Sequence, residues 1–461
     1  MSVETRATGR TFIARATATV VLAAAFASLG VAIVPALADW LQPDISYREA
    51  QLVLRLAARD TTGHGNDPGR LDSLGITRLK LARFDEASLV FRQSLAAAPT
   101  DRPAQAALGK IALFEDRLDD AATFLTGAEP TDLGAMQDLF AARVRRGEWA
   151  MAADLAPLVN QDGRVELIRR LAQRAPYEVV SGPRRGVLPF VRNYPVPLLR
   201  VRINGVSVLM ALDTGASDLL LDESALRRCK AQPVAGQSLQ FWSGSRVATR
   251  NALVQRLDMA GFRVENCPAG VLNLGRWSME VNPQSERIAG IIGLNLLRRF
   301  TPRIDYREMR LELHHDDPEW APPQDAAHVP FQIWGESELT VFGSLSGSRR
   351  MAMVVQTGVP GCGIGAPVEV FDEIGVKPSA LARLVKGAGQ FLQGRPWSAV
   401  VVPSVTVGPV VSDRVQGWLG ALDAGELWRH GVRRDALLAG EFFKNRRVTI
   451  DWRHHELVVE D

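Results

Sequence analysis

The pattern of hydrophobic and polar positions divides the chain into a helical part and a β-rich part. Between about residue 45 and residue 175 the sequence is rich in Ala, Leu and Arg with a helical period, which predicts helices. Prolines punctuate residues 176–198, which predicts a linker or a first edge strand. Beyond them, short β-branched runs alternate with turn signals, and Asn204-Gly205 between two such runs predicts a hairpin. We therefore expect an all-α region followed by an all-β region.

The helical part repeats itself at a spacing near 34 residues. A short motif that ends in alanine occurs three times, and Ala87, Ala121 and Ala152 lie 34 and 31 residues apart. This period of helix–turn–helix units resembles the tetratricopeptide repeat, with the third unit degenerate. Small residues would let the two helices of a unit approach closely, and Phe91 would fill the gap between the helices of the first unit.

The resemblance implies a tetratricopeptide-like repeat domain over residues 39–175. Stacks of this kind present a concave surface to a peptide or protein, so a protein partner at the helical repeats is expected. A helical packing domain that binds nothing is the alternative that the sequence leaves open.

The N-terminus has the order of a secretory signal peptide. Three arginines precede an uncharged apolar run from Ala18 to Val34, and the small-x-small triplet Ala36-Leu37-Ala38 follows. This order predicts a signal peptide over residues 1–38 with cleavage before Asp39. An uncleaved anchor helix is the alternative, since the run of 17 residues approaches the ~20 that cross a bilayer. We expect a periplasmic or secreted protein with no stable membrane span after cleavage.

Composition and charge remove several classes of function. The 461 residues predict two to four domains, and 46% hydrophobic with 23% charged residues is typical of a water-soluble globular chain. With 54 Lys+Arg against 51 Asp+Glu and no long basic run, no nucleic-acid partner is expected.

The three cysteines, Cys229, Cys267 and Cys362, are not spaced like zinc ligands. No metal and no cofactor are expected. In an oxidising compartment Cys229 and Cys267 could form a disulfide, and free buried thiols are the equal alternative.

One motif in the β-rich part carries chemistry. An apolar strand leads into Asp213-Thr214-Gly215-Ala216-Ser217. The strand brings Asp213 to a rigid tip, and Gly215 allows a backbone that a Cβ would forbid, while the Thr214 and Ser217 hydroxyls can hold the carboxylate and the loop. An apolar-Gly segment ending at Gly293 and a closing strand pair with Asp305-Tyr306 follow in order.

Together these segments resemble the aspartic peptidases of the retropepsin and pepsin families. The resemblance implies a first lobe over residues 199–320 with Asp213 as the catalytic acid. It also implies a flap over the substrate at Trp242, Ser243 and Gly244, which would contact a polypeptide. A plain solvent-exposed hairpin is the alternative for this flap segment.

A second copy of the pattern follows over residues 325–461, which predicts a degenerate second lobe. Here the loop reads Gln356-Thr357-Gly358. The spacing from Asp213 to Gln356 is 143 residues, close to the 147 from Gly293 to Gly440. Two homologous lobes in one chain resemble the pepsin-like arrangement, with the cleft between them.

Glutamine at position 356 changes the expected chemistry. Peptide hydrolysis in this family uses two carboxyl groups that share one proton, because like charges so close together cannot both ionise. Gln356 can donate and accept hydrogen bonds but cannot exchange a proton at working pH. Without an acidic neighbour, Asp213 is expected to titrate near the ordinary ~3.9 and to stay ionised at neutral pH. Because acid–base assistance is worth ~10²–10⁴ in rate, this site should be impaired.

Three interpretations of the whole chain follow. The first is an exported aspartic-type endopeptidase that acts through Asp213, for example by pairing the Asp213 loops of two chains. The second is a pseudopeptidase that binds polypeptide without cutting it. The third is a pair of lobes kept as a scaffold for the repeats.

Overall fold

The computed structural model describes residues 67–128, 132–242, 245–283, 286–378, 397–422, 426 and 428–461. The expected signal peptide therefore lies outside the described residues. Within the described part of the chain, no helix is both long and apolar enough to cross a membrane.

The N-terminal region is helical, in the order that the hydrophobic pattern predicts. Its described helices are α1 Pro68–Lys80, α2 Phe84–Ala97, α3 Arg102–Phe114, α4 Leu118–Gly127, α5 Leu133–Arg146, α6 Trp149–Leu155 and α7 Val165–Gln173, with 3-10 turns at Ala156–Val159 and Asp162–Arg164. Helix α1 begins with Pro68 in its first turn, behind Asp67, whose side chain accepts from Arg70 N at 3.2 Å. Helix α5 ends at Gly147, which adopts the left-handed conformation that suits glycine.

The helices pack in close pairs. A Cβ on Gly75 of α1 would lie 2.6 Å from the Phe91 ring of α2, and a Cβ on Gly109 of α3 would lie 2.6 Å from Leu125 of α4. Only glycine fits at these two positions, because real Cβ atoms do not approach neighbours so closely. The helical region itself is confirmed, whereas its assignment to the tetratricopeptide repeat stays a prediction.

The rest of the described chain is β-rich. Its strands are β1 Glu178–Ser181, β2 Arg185–Arg192, β3 Leu198–Ile203, β4 Val206–Leu212, β5 Leu219–Asp222, β6 Gln232–Trp242, β7 Ser245–Met259, β8 Phe262–Leu272, β9 Gly290–Ile292, β10 Thr301–Asp305, β11 Arg310–His314, β12 Ala327–Trp334, β13 Glu338–Leu345, β14 Met351–Gln356, β15 Ile364–Ala366, β16 Ser398–Val407, β17 Val410–Leu419, β18 Ala436–Ala439, β19 Arg447–Asp451 and β20 Glu456–Glu460. Short helices join them at α8 Glu223–Arg228, α9 Gly275–Val281, α10 Leu294–Leu297 and α11 Val368–Glu373, with 3-10 turns at Arg429–Gly431 and Gly440–Phe443.

The β region forms two lobes with the same strand topology. In the first lobe β4 runs parallel to β9, β5 pairs antiparallel with β9, and β5 runs parallel to β8. In the second lobe β14, β18, β15 and β17 repeat these three pairings. The predicted fold class, helices followed by a two-lobed β fold, is confirmed.

One antiparallel sheet joins the lobes. Its strands lie in the order β2, β11, β10, β19, β20 and β12, so each lobe contributes three. The lobes meet where β10 pairs with β19, with Ile304 opposite Val448. Both side chains are buried in a hydrophobic cluster that extends through both lobes. This shared sheet fixes the two active-site-like loops relative to each other.

The helical region packs directly on the second lobe. Phe84 and Phe114 share a buried cluster with Trp334, Ala352 and Val432. The Phe114 and Trp334 rings stack with their centroids 5.1 Å apart. The helices and the second lobe therefore share one core.

All three cysteines are buried free thiols, so Cys229 and Cys267 do not form the disulfide that the sequence allowed. Burial raises the pKa of both thiols.

Candidate functional site

The Asp213 loop stands at the end of strand β4. The last five residues of β4 are buried, and the strand runs parallel to β9, so the chain reaches the loop through the core of the first lobe. Asp213 N donates to Ile292 O at 3.0 Å, which continues the β4–β9 ladder into the loop. A buried apolar strand thus places one carboxylate where the lobes meet.

The Gln356 loop stands in the same place in the second lobe. All six residues of β14 are buried, and β14 runs parallel to β18 with Gln356 opposite Ala439. Gln356 itself is buried. The two lobes therefore present Asp213 and Gln356 from matching positions.

Threonine hydrogen bonds join the two loops. Thr214 Oγ1 donates to Val355 O at 2.8 Å and accepts from Thr357 N at 3.2 Å. Thr214 N donates to Thr357 Oγ1 at 3.0 Å. Because every partner is a buried polar group, these bonds are costly to break and hold the loops at a fixed distance.

The carboxylate of Asp213 is held by backbone N–H groups of both loops. Its Oδ1 accepts from Gly215 N at 2.7 Å and from Gly358 N at 2.9 Å. A Cβ on Gly358 would collide with the Asp213 carboxylate, and a Cβ on Gly215 would collide with the Gln356 side chain. Each loop therefore needs its glycine because the side chain of the opposite loop lies against it.

Gln356 occupies its position without the matching hydrogen bonds. Its Oε1 is buried and has no hydrogen-bond partner among the residues that the structure describes. A buried acceptor left unpaired costs about 1–3 kcal/mol. The asymmetry between Asp213 and Gln356 is therefore energetic as well as chemical.

The protonation of Asp213 differs from the expectation. Burial raises its pKa above the usual range, and the two N–H donors from Gly215 and Gly358 only partly oppose this effect. The expectation of an ordinary value was wrong because it considered only the missing acidic neighbour. The side chain is 8% exposed, and loss of water destabilises the ionised form.

Ser217 acts on the loop rather than on the carboxylate. Its Oγ accepts from Ser337 Oγ of the second lobe at 2.7 Å. Ser337 is buried, and sequence reasoning missed it because 120 residues separate the two serines. No local pattern in the sequence could have found this contact.

The expected flap is built by a long hairpin. Strands β6 and β7 pair antiparallel up to Trp242 opposite Ser245. Ser243 and Gly244, at its tip, lie outside the described residues. The flap contacts with a polypeptide stay predictions.

Metal ligation finds no basis in the part of the chain that the structure describes. No group of three or more His, Cys, Asp or Glu side chains there could hold a metal ion. The chemistry that these residues offer is hydrogen bonding and the titration of one carboxyl group.

Comparison with known proteins supports an aspartic-protease-like domain. A family model described as aspartyl protease matches residues 199–296, which include the Asp213 loop. No curated protein sequence matches the chain.

Three solved structures are similar to parts of the chain. Basic 7S globulin from soybean has 10% identity over 62% of this chain and 95% of its own, with a TM-score of 0.37. An aspartic proteinase from Irpex lacteus has 11% identity over 60% of this chain and 96% of its own, with a TM-score of 0.38. A retropepsin-like aspartic protease from Rickettsia conorii has 21% identity over 30% of this chain and 96% of its own, with a TM-score of 0.21.

Proposed function

We propose that the two lobes bind an extended polypeptide in the cleft between them and that this chain binds polypeptide far better than it cleaves it. One observation carries the proposal: Gln356 stands opposite Asp213 in a pair of loops whose other contacts are intact. The aspartyl protease match over residues 199–296 supports a polypeptide as the ligand.

The chemistry of the two side chains supports binding over cleavage. A pair of carboxyl groups activates water with one member and polarises the peptide carbonyl with the other. The Gln356 amide can donate a hydrogen bond to a carbonyl oxygen, but it cannot pass a proton on. Asp213 would have to perform both proton transfers by itself.

The way the lobes pack argues against the dimer route to activity. Thr357 and Gly358 of the second lobe already bond to the Asp213 loop. A second chain could bring its own Asp213 loop to this place only if the second lobe left it. We therefore do not favour an endopeptidase built from two chains.

Slow hydrolysis through Asp213 alone is the second candidate, and the burial of Asp213 favours it. Since burial raises the pKa of Asp213, its carboxyl group can hold a proton at a higher pH than an exposed aspartate. In this mechanism ionised Asp213 takes a proton from water and returns it to the leaving amine nitrogen. Gln356 would donate a hydrogen bond to the carbonyl oxygen.

Cleavage of an unfolded protein across pH 3 to 7 tests the proposal. Wild type, Gln356→Asp and the matched control Gln356→Asn are compared, since only the aspartate variant adds an acid. We expect a rise of about 10²–10⁴-fold for Gln356→Asp at acid pH and none for Gln356→Asn. A folded Gln356→Asp protein without any gain would refute the paired-loop site.

Two further measurements separate the candidates. Wild-type cleavage that Asp213→Asn abolishes would favour the second candidate. Calorimetric binding of the same unfolded protein at neutral pH is expected for wild type and for Gln356→Asn, and its absence in both would refute the binding proposal. Trp242→Ala in the expected flap should weaken this binding if the cleft holds the ligand.

Export to the periplasm or the cell exterior is part of the proposal, supported by the order of residues 1–38. Cell fractionation with N-terminal sequencing tests it, and we expect a mature chain that begins at Asp39. A protein partner for the helical region is proposed on the repeat pattern alone. Because Phe84 and Phe114 are buried against the second lobe, such a partner would use another face of the helices.

A further inference from the structure

We propose that the helical region positions the Asp213 loop through the turn between β12 and β13. This turn, residues 334–338, is held by arginine and aromatic side chains of the helices and contacts the loop with Ser337. The inference rests on the proposed function only in taking the Asp213 loop as the ligand-binding element. It assigns a positioning role to Arg145, Arg164 and Ser337.

Arg145 of α5 holds the backbone at the start of the turn. Its Nη1 donates to Ile333 O at 2.9 Å and to Gly335 O at 3.2 Å. Its Nη2 pairs with Asp116, and its side chain is almost completely buried. A buried guanidinium that is fixed by a carboxylate presents its remaining donors in a rigid fork, so it orients the two carbonyl groups.

Trp334 anchors the turn in the helical core. Its ring is fully buried, stacks on Phe114 and meets Phe84 edge-on at 5.9 Å. Gly335 follows with φ +58°, a conformation that suits glycine, and a Cβ there would reach the His430 ring. The turn therefore has one accessible path away from the helices.

Arg164 fixes the next residue of the turn. Its two terminal nitrogens bond both carboxylate oxygens of Glu336, at 2.6 and 2.8 Å. The bidentate geometry sets the direction of the Glu336 side chain as well as its distance. Arg164 lies in the 3-10 turn before α7, so this ion pair again joins the helical region to the second lobe.

Ser337 passes this arrangement to the Asp213 loop. Its hydroxyl donates to Ser217 Oγ at 2.7 Å, and it is buried. On the first-lobe side, Asn295 N donates to Ser217 O at 2.9 Å, and Asn295 Nδ2 donates to Asp218 Oδ1 at 2.9 Å. Ser337 thus supplies support from the second lobe to a segment otherwise held by the first.

The contacts form a chain from α5 and the turn before α7, through residues 334–338, to Ser217. Loss of order in the turn should loosen the loop, and by linkage a ligand that tightens the loop should tighten the contact between helices and second lobe. A partner that displaced the helices would therefore weaken the cleft at a distance.

Hydrogen exchange of the full chain tests this inference without any ligand. Exchange of peptides that cover residues 213–218 is measured by mass spectrometry for wild type, Arg164→Gln and Ser337→Ala. The matched control is Arg170→Gln, which removes the Arg170–Glu166 ion pair of α7 at 3.0 Å within the helical region. We expect exchange at least about threefold faster in the first two variants and unchanged in the control, since the removed contacts limit local opening.

Rescue and additivity separate positioning from general loss of stability. Ser337→Thr keeps the hydroxyl and should retain wild-type exchange. The double variant Arg164→Gln/Ser337→Ala should be no faster than the faster single variant, because both act through one chain of contacts. Unchanged exchange in folded Arg164→Gln and Ser337→Ala, or an equal rise in Arg170→Gln, would overturn the inference.

Binding of the unfolded protein to the same variants distinguishes this inference from the proposed function. Altered loop exchange with no binding by wild type would leave the positioning role standing and reject the proposed function. Binding with loop exchange unchanged in every variant would do the reverse.

Discussion

The two lobes place different side chains in one common frame. Both carry a buried strand, a loop that ends in Thr-Gly, and a parallel partner strand, and the loops hydrogen-bond to each other. In the first lobe the frame presents Asp213, whose Oδ1 accepts two backbone N–H bonds. In the second lobe it presents Gln356, whose buried Oε1 has no partner among the described residues. The frame can thus persist after the chemistry that it serves has been lost.

The second lobe differs from the first in a further way. It supplies Trp334, Ala352 and Val432 to the core of the helical region. Its Arg350 also reaches the helices, with Nη1 donating to Ala82 O at 3.2 Å. These contacts give the second lobe a structural role that does not depend on catalysis.

The largest effect is expected from the threonines that join the loops. Thr214→Val removes the donor to Val355 O and the acceptor for Thr357 N, and leaves two buried backbone groups unpaired. Thr357→Val removes only the acceptor for Thr214 N. We expect Thr214→Val to lower the free energy of unfolding by about 3 kcal/mol and Thr357→Val by about half as much.

Urea denaturation followed by tryptophan fluorescence measures this difference. The two variants control for each other, because both replace a hydroxyl by a methyl group in the same frame. Equal losses would show that the two loops are held symmetrically and would contradict the hydrogen bonds described.

The glycines of the loops should come next. In Gly358→Ala the new methyl group meets the Asp213 carboxylate, and in Gly215→Ala it meets the Gln356 side chain. Asp213 cannot move without losing its hydrogen bonds, whereas Gln356 Oε1 has none to lose. We expect losses of about 2 kcal/mol for Gly358→Ala and about 1 kcal/mol for Gly215→Ala.

Thermal unfolding at one pH compares these two variants. If Gly215→Ala is the more destabilising, the Gln356 side chain is held more firmly than its contacts indicate, and the asymmetry of the two loops would need another cause.

Parts of this comparison could be read from the sequence, and others could not. The repeated Thr-Gly loops and the 143-residue spacing of Asp213 and Gln356 identify the two lobes because they are local patterns. The Ser217–Ser337 and Arg164–Glu336 contacts join residues 120 and 172 positions apart, and no local pattern encodes them. The raised pKa of Asp213 has the same origin, since burial is a property of the assembled fold.

The smallest effect concerns the pH dependence that one lobe has and the other lacks. Since burial raises the folded-state pKa of Asp213, the folded chain holds its proton at pH values where the unfolded chain, with a pKa near ~3.9, has lost it. Its contribution to stability is full below the unfolded pKa and is lost as pH rises through the folded one.

Wild type should therefore lose stability relative to Asp213→Asn between pH 3.5 and pH 7, because asparagine does not titrate. Gln356→Met, which removes the unpaired amide with little change in volume, is the lobe-two control, and its offset from wild type should be the same at both pH values. Urea midpoints of the three proteins measure these offsets. A pH-independent offset for Asp213→Asn would mean that Asp213 titrates alike in both states, and that the lobes differ in hydrogen bonding alone.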